Sequence, residues 1–151
     1  MKSFKVDYKA RISDIPECIT RSGTWIVKVD IGNYPKWNDV IKNAIDSFNE
    51  TIDWDDMWDY EEAEERFNNG EELFLFLHKR NLNIPLGFVW FRNNYLYNMF
   101  MHPSRRNGDT VDFVSSCCNS LNSRFTEITL YCDTWNIKAQ KMFEKVGFKK
   151  I

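Results

Sequence analysis

The sequence lacks any long run of apolar residues. Its longest uninterrupted stretches, such as Leu73 to Leu77, are far shorter than the ~20 residues that a membrane-spanning helix needs. The segment from Met1 to Ala10 alternates charged with apolar side chains and contains no apolar block of the kind that a signal peptide carries. We therefore expect no membrane association, and the sequence predicts a cytoplasmic protein.

The sequence also lacks a C-x-x-C pair and any cluster of cysteine with histidine. None of the four cysteines lies near a histidine in the chain; they are Cys18, Cys117, Cys118 and Cys132. Neither a zinc site nor a disulfide framework is indicated, and no metal is expected. We interpret the adjacent Cys117 and Cys118 as small buried side chains on one face of a helix.

An excess of basic residues is missing as well. The net charge of -2 and the sequence pI of about 5.7 disfavour nucleic acid as the main partner. The charge is unevenly placed, because residues 50–65 hold nine carboxylates and no Lys or Arg, which leaves +7 for the remainder. Such a division suits an anionic cofactor on one side and a cationic substrate on the other.

What the chain does have is enough apolar side chain for one core. With 151 residues, 43% apolar and 16% aromatic, it is too rich in order-promoting residues to be disordered, and its length favours one domain over residues 1–151. No internal repeat or low-complexity linker divides it.

The periodicity of apolar residues predicts alternating strands and helices. We expect two strands, two helices, three antiparallel strands, then a helix, a strand and a helix. In chain order they are strands over 4–12 and 24–30, helices from 35 to 48 and from 58 to 69, strands over 73–78, 86–92 and 95–101, a helix after 109, a strand over 128–132 and a helix over 136–146. Residues 81–85 are expected to form a turn. This order predicts an α+β sheet with helices on both faces.

One motif opens the helix that follows residues 95–101. It reads Arg105-x-x-Gly108-x-Thr110 and resembles the acetyl-CoA pyrophosphate loop of the GNAT acyltransferase superfamily, Q/R-x-x-G-x-G/A. A loop containing Gly at a helix start presents backbone N–H groups, and the helix dipole adds partial positive charge, so a diphosphate is a natural ligand. Thr110 departs from the family's Gly or Ala.

A second motif forms the last helix. It resembles the family's N-x-x-A-x-x-L-Y-x-K-x-G-F ending, and here it reads Asn136-x-x-Ala139-x-x-Met142-Phe143-Glu144-Lys145-x-Gly147-Phe148. Its residues describe an amphipathic helix entered at Asn136 and closed at Gly147. The resemblance in sequence covers the C-terminal half of the chain. In the first half, only the order of strands and helices is similar.

The resemblance implies a GNAT-like fold and acetyl-CoA as co-substrate. The sheet would be mixed and mostly antiparallel, with the family's fourth and fifth strands, here 95–101 and 128–132, splayed to admit the pantetheine arm. Backbone groups of Phe100 and Met101 would bond to the arm by strand addition, and Asn136 would contact it. The implied phosphate-binding residues are Arg105, Arg106, Asn107, Gly108, Asp109, Thr110 and Lys138.

The implied chemistry is direct attack of a primary amine on the thioester in a ternary complex. The family's proton donor, a Tyr in the last helix, is replaced by Phe143. A thiol of pKa ~8.5 is already a fair leaving group, and Tyr97, Tyr131, a water or Cys132 could replace the missing acid, although Cys132 is expected in the core. Asp133 is our candidate base, with Tyr95 or Asn98 holding a water. The alternative is a catalytically weakened module that binds CoA or another protein.

The acidic segment provides the clue to the acceptor. Carboxylates beside aromatic faces attract cations, and here Trp54, Asp55, Trp58 and Asp59 combine the two. We expect a cationic amine such as a polyamine, an amino sugar or a lysine-bearing peptide. A solvated acidic helix start is the competing interpretation.

The resemblance leads us to expect a truncated C-terminal hairpin, since the sequence ends at Ile151. The edge of the strand over 128–132 is then poorly covered. We expect either a homodimer across that edge or a short strand over 148–151 that shields it.

Overall fold

The computed structural model describes residues 5–17, 23–51, 58–103 and 109–151, which form one sheet and four α-helices. The strands lie in the order β2-β3-β4-β5-β6-β1-β7. They are β1 (Lys5–Arg11), β2 (Thr24–Val29), β3 (Glu72–His78), β4 (Asn81–Arg92), β5 (Tyr95–Met101), β6 (Glu127–Asp133) and β7 (Lys149–Lys150). The helices are α1 (Asn38–Asn49), α2 (Tyr60–Asn68), α3 (Asp109–Asn119) and α4 (Ile137–Val146).

Strands β2 to β5 form an antiparallel meander, and β6 runs parallel to β5. The three consecutive antiparallel strands are confirmed, but the expected turn over 81–85 is wrong. Those residues begin β4, because a bulge opposite Leu77 and His78 lets Pro85 enter the strand beside Leu77.

Helices cover both faces of the sheet, as expected. On one face α1 and α2 bury Ile41 and Phe67 against Trp90 of β4. On the other face α3 and α4 bury Phe113 and Phe143 in a second core. This second core includes Cys117 and Cys118, whose pKa values are raised by burial. The two thiols are therefore structural side chains.

The helix ends follow the sequence signals. Asp59 caps α2 by accepting a hydrogen bond from the Glu62 N–H at 2.9 Å. Gly70 and Gly147, with φ of 87° and 126°, take the left-handed conformation that ends α2 and α4. The sequence predicted that a helix begins at Pro35. Instead, Pro35 lies in a 3-10 turn (Tyr34–Trp37) that precedes α1.

Strand β1 occupies a place that local patterns did not predict. It pairs antiparallel with β6 along its whole length, from Lys5 opposite Asp133 to Arg11 opposite Glu127. The expectation of an uncovered edge on β6 is therefore wrong. The short C-terminal strand does exist, but β7 pairs with β1 rather than β6. A homodimer stays a prediction.

Within the ranges given above, no helix is long and apolar enough to cross a membrane.

Candidate functional site

Strands β5 and β6 are joined at one end only. Their parallel pairing covers Tyr95 with Thr129 and Leu96 with Leu130. The β4–β5 turn strengthens this end: the Thr129 N–H donates to the Asn94 carbonyl at 3.1 Å, and the Asn94 amide donates to the Glu127 carbonyl at 3.2 Å. Beyond Leu96, β5 remains paired with β4 on its other side, but it forms no ladder with β6.

A β-bulge marks the point where β5 leaves β6. Trp90 of β4 opposes Asn98, whereas the next residue, Phe91, opposes Leu96, so Tyr97 is the extra residue. A bulge bends its strand and interrupts the ladder locally, and such irregularities are frequent beside active sites. Tyr97 and Asn98 consequently face the same side of the sheet, toward α1 and α2.

After Leu96, the carboxyl-terminal half of β5 has no ladder partner in β6. The Phe100 ring packs into the α1 and α2 core, with its centroid 5.8 Å from that of Phe48, while Met101 points into the α3 and α4 core. Gly87 lets β4 lie close to β5, because a Cβ added at Gly87 would lie 2.5 Å from the Phe100 carbonyl oxygen. The two candidate cofactor contacts, Phe100 and Met101, thus lie on this part of β5.

The start of α3 lies next along the chain. Asp109 and Thr110 form its first turn and are buried. Four predicted phosphate-binding residues, Arg105, Arg106, Asn107 and Gly108, lie outside the described residues. What the structure supplies is a helix that begins one residue after the predicted glycine.

The turn from β6 into α4 is tied down by side-chain hydrogen bonds. The Asn136 side-chain oxygen accepts from the Ala139 N–H at 3.1 Å, so Asn136 caps α4. The Gln140 amide donates to the Thr134 carbonyl at 2.9 Å. Lys138 is exposed on the first turn of α4. Asn136 and Lys138 therefore lie just after the carboxyl end of β6, in a turn held by these hydrogen bonds.

Phe143 has no proton to donate, and the thiol of Cys132 is a weak acid. Phe143 is 4% exposed and packs edge-on against Phe148, with ring centroids 5.8 Å apart. The pKa of Cys132 is raised, first by burial and then by the nearby carboxylate of Asp133. A thiol with a raised pKa stays protonated and is a weaker proton donor than a free cysteine.

Tyr97 is built into the packing of α2. Its ring lies 6.4 Å from that of Trp58, and the Arg66 guanidinium sits 4.8 Å above it. Its hydroxyl is buried, and burial followed by the influence of the Glu71 carboxylate raises the pKa of Tyr97. The hydroxyl stays protonated at neutral pH, as an acid requires, but it points among buried groups.

The predicted acceptor residues divide into two groups. Trp54 and Asp55 lie outside the described residues. Trp58 and Asp59 hold the entrance of α2: the Asn49 side chain accepts from the Trp58 N–H at 2.9 Å and donates to the Trp58 carbonyl at 2.7 Å, while Asp59 is the helix cap. Both residues thus have structural tasks at this position.

Tyr95 and Asp133 share one face of the sheet with Tyr131. The rings of Tyr95 and Tyr131 are 6.0 Å apart, and burial, Tyr131 and Asp7 raise the pKa of Tyr95 to about 12. Asp133 ends β6 directly opposite Lys5 of β1. Sequence reasoning missed Lys5 and Asp7, because no local signal shows that β1 pairs with β6.

No protein-family model matches the chain, and no curated protein matches it in sequence. Solved structures do match it in fold. A GNAT-family acetyltransferase from Colwellia psychrerythraea has a TM-score of 0.66 at 14% identity, over 99% of this chain and 53% of its own. A tandem GNAT protein from the clavulanic acid biosynthesis pathway has a TM-score of 0.59 at 8% identity, over 98% and 50%.

An aminoglycoside acetyltransferase from an uncultured soil metagenomic sample, solved in complex with sisomicin, has a TM-score of 0.64 at 15% identity. That match covers 83% of this chain and 88% of the other. The chain spans about half the length of several other structures that it matches, including a Drosophila protein of which it covers 48%. The parallel β5–β6 pair in an otherwise antiparallel sheet, helices on both faces and these neighbours together show that the chain has the fold of the GNAT acetyltransferases.

Proposed function

We propose that the protein is an N-acetyltransferase that moves the acetyl group of acetyl-CoA to a primary amine. The observation that carries this proposal is the short β5–β6 ladder, which ends at Leu96 beside the bulge of Tyr97, and from it we infer a gap between the two strands. A strand edge beside such a gap can bond to the amide-rich pantetheine arm as it would to another strand. The fold of the GNAT acetyltransferases supports the same class of reaction, although a fold alone does not fix an activity.

The cofactor contacts follow the gap. The backbone of Phe100 and Met101 would hold the pantetheine arm, with Asn136 on the opposite side. The diphosphate would lie at the start of α3, on the loop of residues 105–110, where backbone N–H groups and the helix dipole favour an anion. Lys138 would add a positive charge from the first turn of α4.

The transfer forms one bond and breaks another. The amine nitrogen attacks the thioester carbonyl carbon, the C–N bond forms, and the C–S bond breaks to give CoA thiolate. Before the attack, Asp133 would take the proton that converts the bound ammonium into the free amine, through a water held by the protonated Tyr95 hydroxyl; the second proton leaves the nitrogen for solvent as the amide forms. The thiolate takes up a proton from solvent or from Tyr97, since Phe143 has none to give.

The acceptor is a cationic amine. The acidic segment over residues 50–65 supports this choice through its charge, and the neighbour in complex with sisomicin acts on amine-bearing compounds. Binding of the acceptor would bring its ammonium group toward the Tyr131 face of β5 and β6.

Isothermal titration with acetyl-CoA, followed by thiol release on addition of spermidine or a lysine peptide, tests the proposal. We expect saturable binding of acetyl-CoA and release of thiol only when the amine is present. Failure of acetyl-CoA to bind would contradict it.

One observation favours a second candidate, a CoA-binding module without turnover. Phe143 is buried in the core, where the family has its proton donor. Binding of acetyl-CoA without thiol release across a panel of amines would select this candidate.

A further inference from the structure

On the side of the sheet that faces away from α3 and α4, the described residues of β6 and β1 include both aromatic and acidic side chains. Tyr8 and Leu130 point into the α3 and α4 core, so their strand neighbours point the other way. Among the described residues, the core beneath α1 and α2 takes side chains from β2 to β5 and none from β6 or β1. Tyr131 is consequently 40% exposed on this face.

An alkylammonium group already occupies this face. The Lys5 Nζ lies 3.9 Å from the centroid of the Tyr131 ring, well within the ≈6 Å range of a cation–π contact. Asp7 lies directly opposite Tyr131, and Asp133 lies directly opposite Lys5. Directly opposed residues of antiparallel strands place their side chains on the same face. The register therefore places the side chains of Asp7 and Asp133 on the same face as the Tyr131 ring.

Tyr131 and its neighbours lie at the point where the pairing of β5 with β6 ends. Tyr131 is the first residue of β6 beyond its last pair with β5, which joins Leu130 to Leu96. The Tyr95 ring faces it from β5 at 6.0 Å, and the raised pKa of Tyr95 has Asp7 among its causes. An amine bound to the Tyr95 and Tyr131 rings would therefore lie next to the end of the β5–β6 ladder.

We propose that Tyr95, Tyr131, Asp7 and Asp133 form the binding site for the alkylammonium group of the acceptor, and that Lys5 fills it in the unliganded protein. The catalytic consequence rests on the proposed acetyl transfer, but the binding does not. The acceptor chemistry that fits is a primary alkylammonium on a flexible chain, since Lys5 itself presents one. The strand that supplies Asp7 and Lys5 thereby becomes part of the acceptor site.

The matched control lies on the same strand and the same face. Lys9 lies four residues after Lys5 in β1, so its side chain is on the same face of the sheet. Its Nζ forms an ion pair with the Glu127 carboxylate at 3.7 Å. Lys5→Gln and Lys9→Gln remove the same charge, but only Lys5→Gln vacates the Tyr131 ring.

The test is a titration of the protein with spermidine, without acetyl-CoA, followed by the NMR signals of the tyrosine ring protons. We expect the Tyr131 and Tyr95 rings to shift, and Lys5→Gln to bind spermidine about three-fold more tightly than Lys9→Gln. In the Lys5→Gln background, Tyr131→Leu should weaken binding by about three- to five-fold and Tyr131→Phe should leave it nearly unchanged. Equal affinities of Lys5→Gln and Lys9→Gln, or unshifted Tyr131 signals at saturation, would overturn the proposal.

The Michaelis constants separate this inference from the proposed function. If amines are acetylated, Tyr131→Leu should raise KM for the amine and leave KM for acetyl-CoA unchanged; an unchanged amine KM in a folded Tyr131→Leu would sink the site while acetyl transfer stands. If acetyl-CoA does not bind at all but spermidine still shifts Tyr131, the site stands and the proposed transferase does not.

Discussion

At the residue scale, single polar side chains fix the geometry around the site. The Asn49 amide bonds both the N–H and the carbonyl of Trp58, as a neighbouring strand would. It thereby joins the end of α1 to the entrance of α2 across the acidic segment. Nothing in the sequence around Asn49 signals this role, because its partner is nine residues away in a different element.

Asn49→Ala should destabilise the protein. The change leaves two half-buried backbone groups of Trp58 without this partner, and each such loss costs about 1–3 kcal/mol when water cannot replace it. Since the site is partly exposed, we expect a loss of about 1–2 kcal/mol in the free energy of unfolding, measured with urea. Asn43→Ala, in the middle of α1, is the control and should change stability by no more than about 0.5 kcal/mol. Equal effects of the two changes would show that the hydrogen bonds from Asn49 to the Trp58 backbone contribute nothing to stability.

Tyr95 gives a prediction for alkaline pH. Its pKa is raised from 10.0 to about 12 in the folded protein, so the unfolded chain loses this proton at lower pH than the folded one. The stability that Tyr95 contributes is complete below pH 10 and is lost as the pH rises toward 12. Urea unfolding at a series of pH values should show a smaller loss of stability above pH 10 in Tyr95→Phe than in the wild type. Parallel curves would contradict the assignment.

At the scale of elements, the sequence predicted most strands and helices but not all of their partners. Local signals such as Asp59, Gly70 and Gly147 act within one turn, so the ends of α2 and α4 were predictable. The pairing of β1 with β6 joins residues more than a hundred positions apart, and period-two alternation carries no information on the partner strand. The bulge at Tyr97 was missed for a similar reason, because it depends on how β4 and β5 fit together.

Gly87→Ala tests whether the spacing of β4 and β5 matters for the gap. The new Cβ would lie 2.5 Å from the Phe100 carbonyl oxygen, so one strand must move. We expect a loss of about 1–3 kcal/mol in unfolding free energy together with weaker binding of acetyl-CoA in isothermal titration.

Gly32→Ala is the matched control for that experiment. A Cβ there would meet only the Asp30 side chain, at 3.2 Å, and that side chain can move aside. It should leave acetyl-CoA binding unchanged. If Gly87→Ala binds acetyl-CoA as tightly as Gly32→Ala, the edge of β5 near Phe100 is not part of the cofactor site.

At the scale of the whole molecule, the first strand completes the sheet between two strands from the other end of the chain. Tyr8 and Ala10 of β1 are buried in the same core as α4, while Lys5 and Asp7 reach the proposed acceptor face. The fold and the acceptor site therefore depend on the same seven residues.

Deletion of residues 1–11 should prevent stable folding. It removes the buried Tyr8 and Ala10 and exposes the full edge of β6, and uncovered strand edges promote association. We expect aggregates or a broad early peak in size-exclusion chromatography, and partial rescue by a peptide of residues 1–11 added in trans. Lys9→Ala in the full chain should behave as the wild type. A deleted chain that stays monomeric with an unchanged melting temperature would contradict the role of β1.

The most direct test of the proposed cofactor site is an NMR titration of the ¹⁵N-labelled protein with acetyl-CoA. The backbone amides of β5 from Tyr97 to Met101, the first turn of α3 and Asn136 should shift together and saturate at one equivalent. The β2 and β3 amides, which lie away from the gap, should remain in place. Saturating acetyl-CoA that leaves the β5 amides unshifted would show that the gap between β5 and β6 does not bind the cofactor.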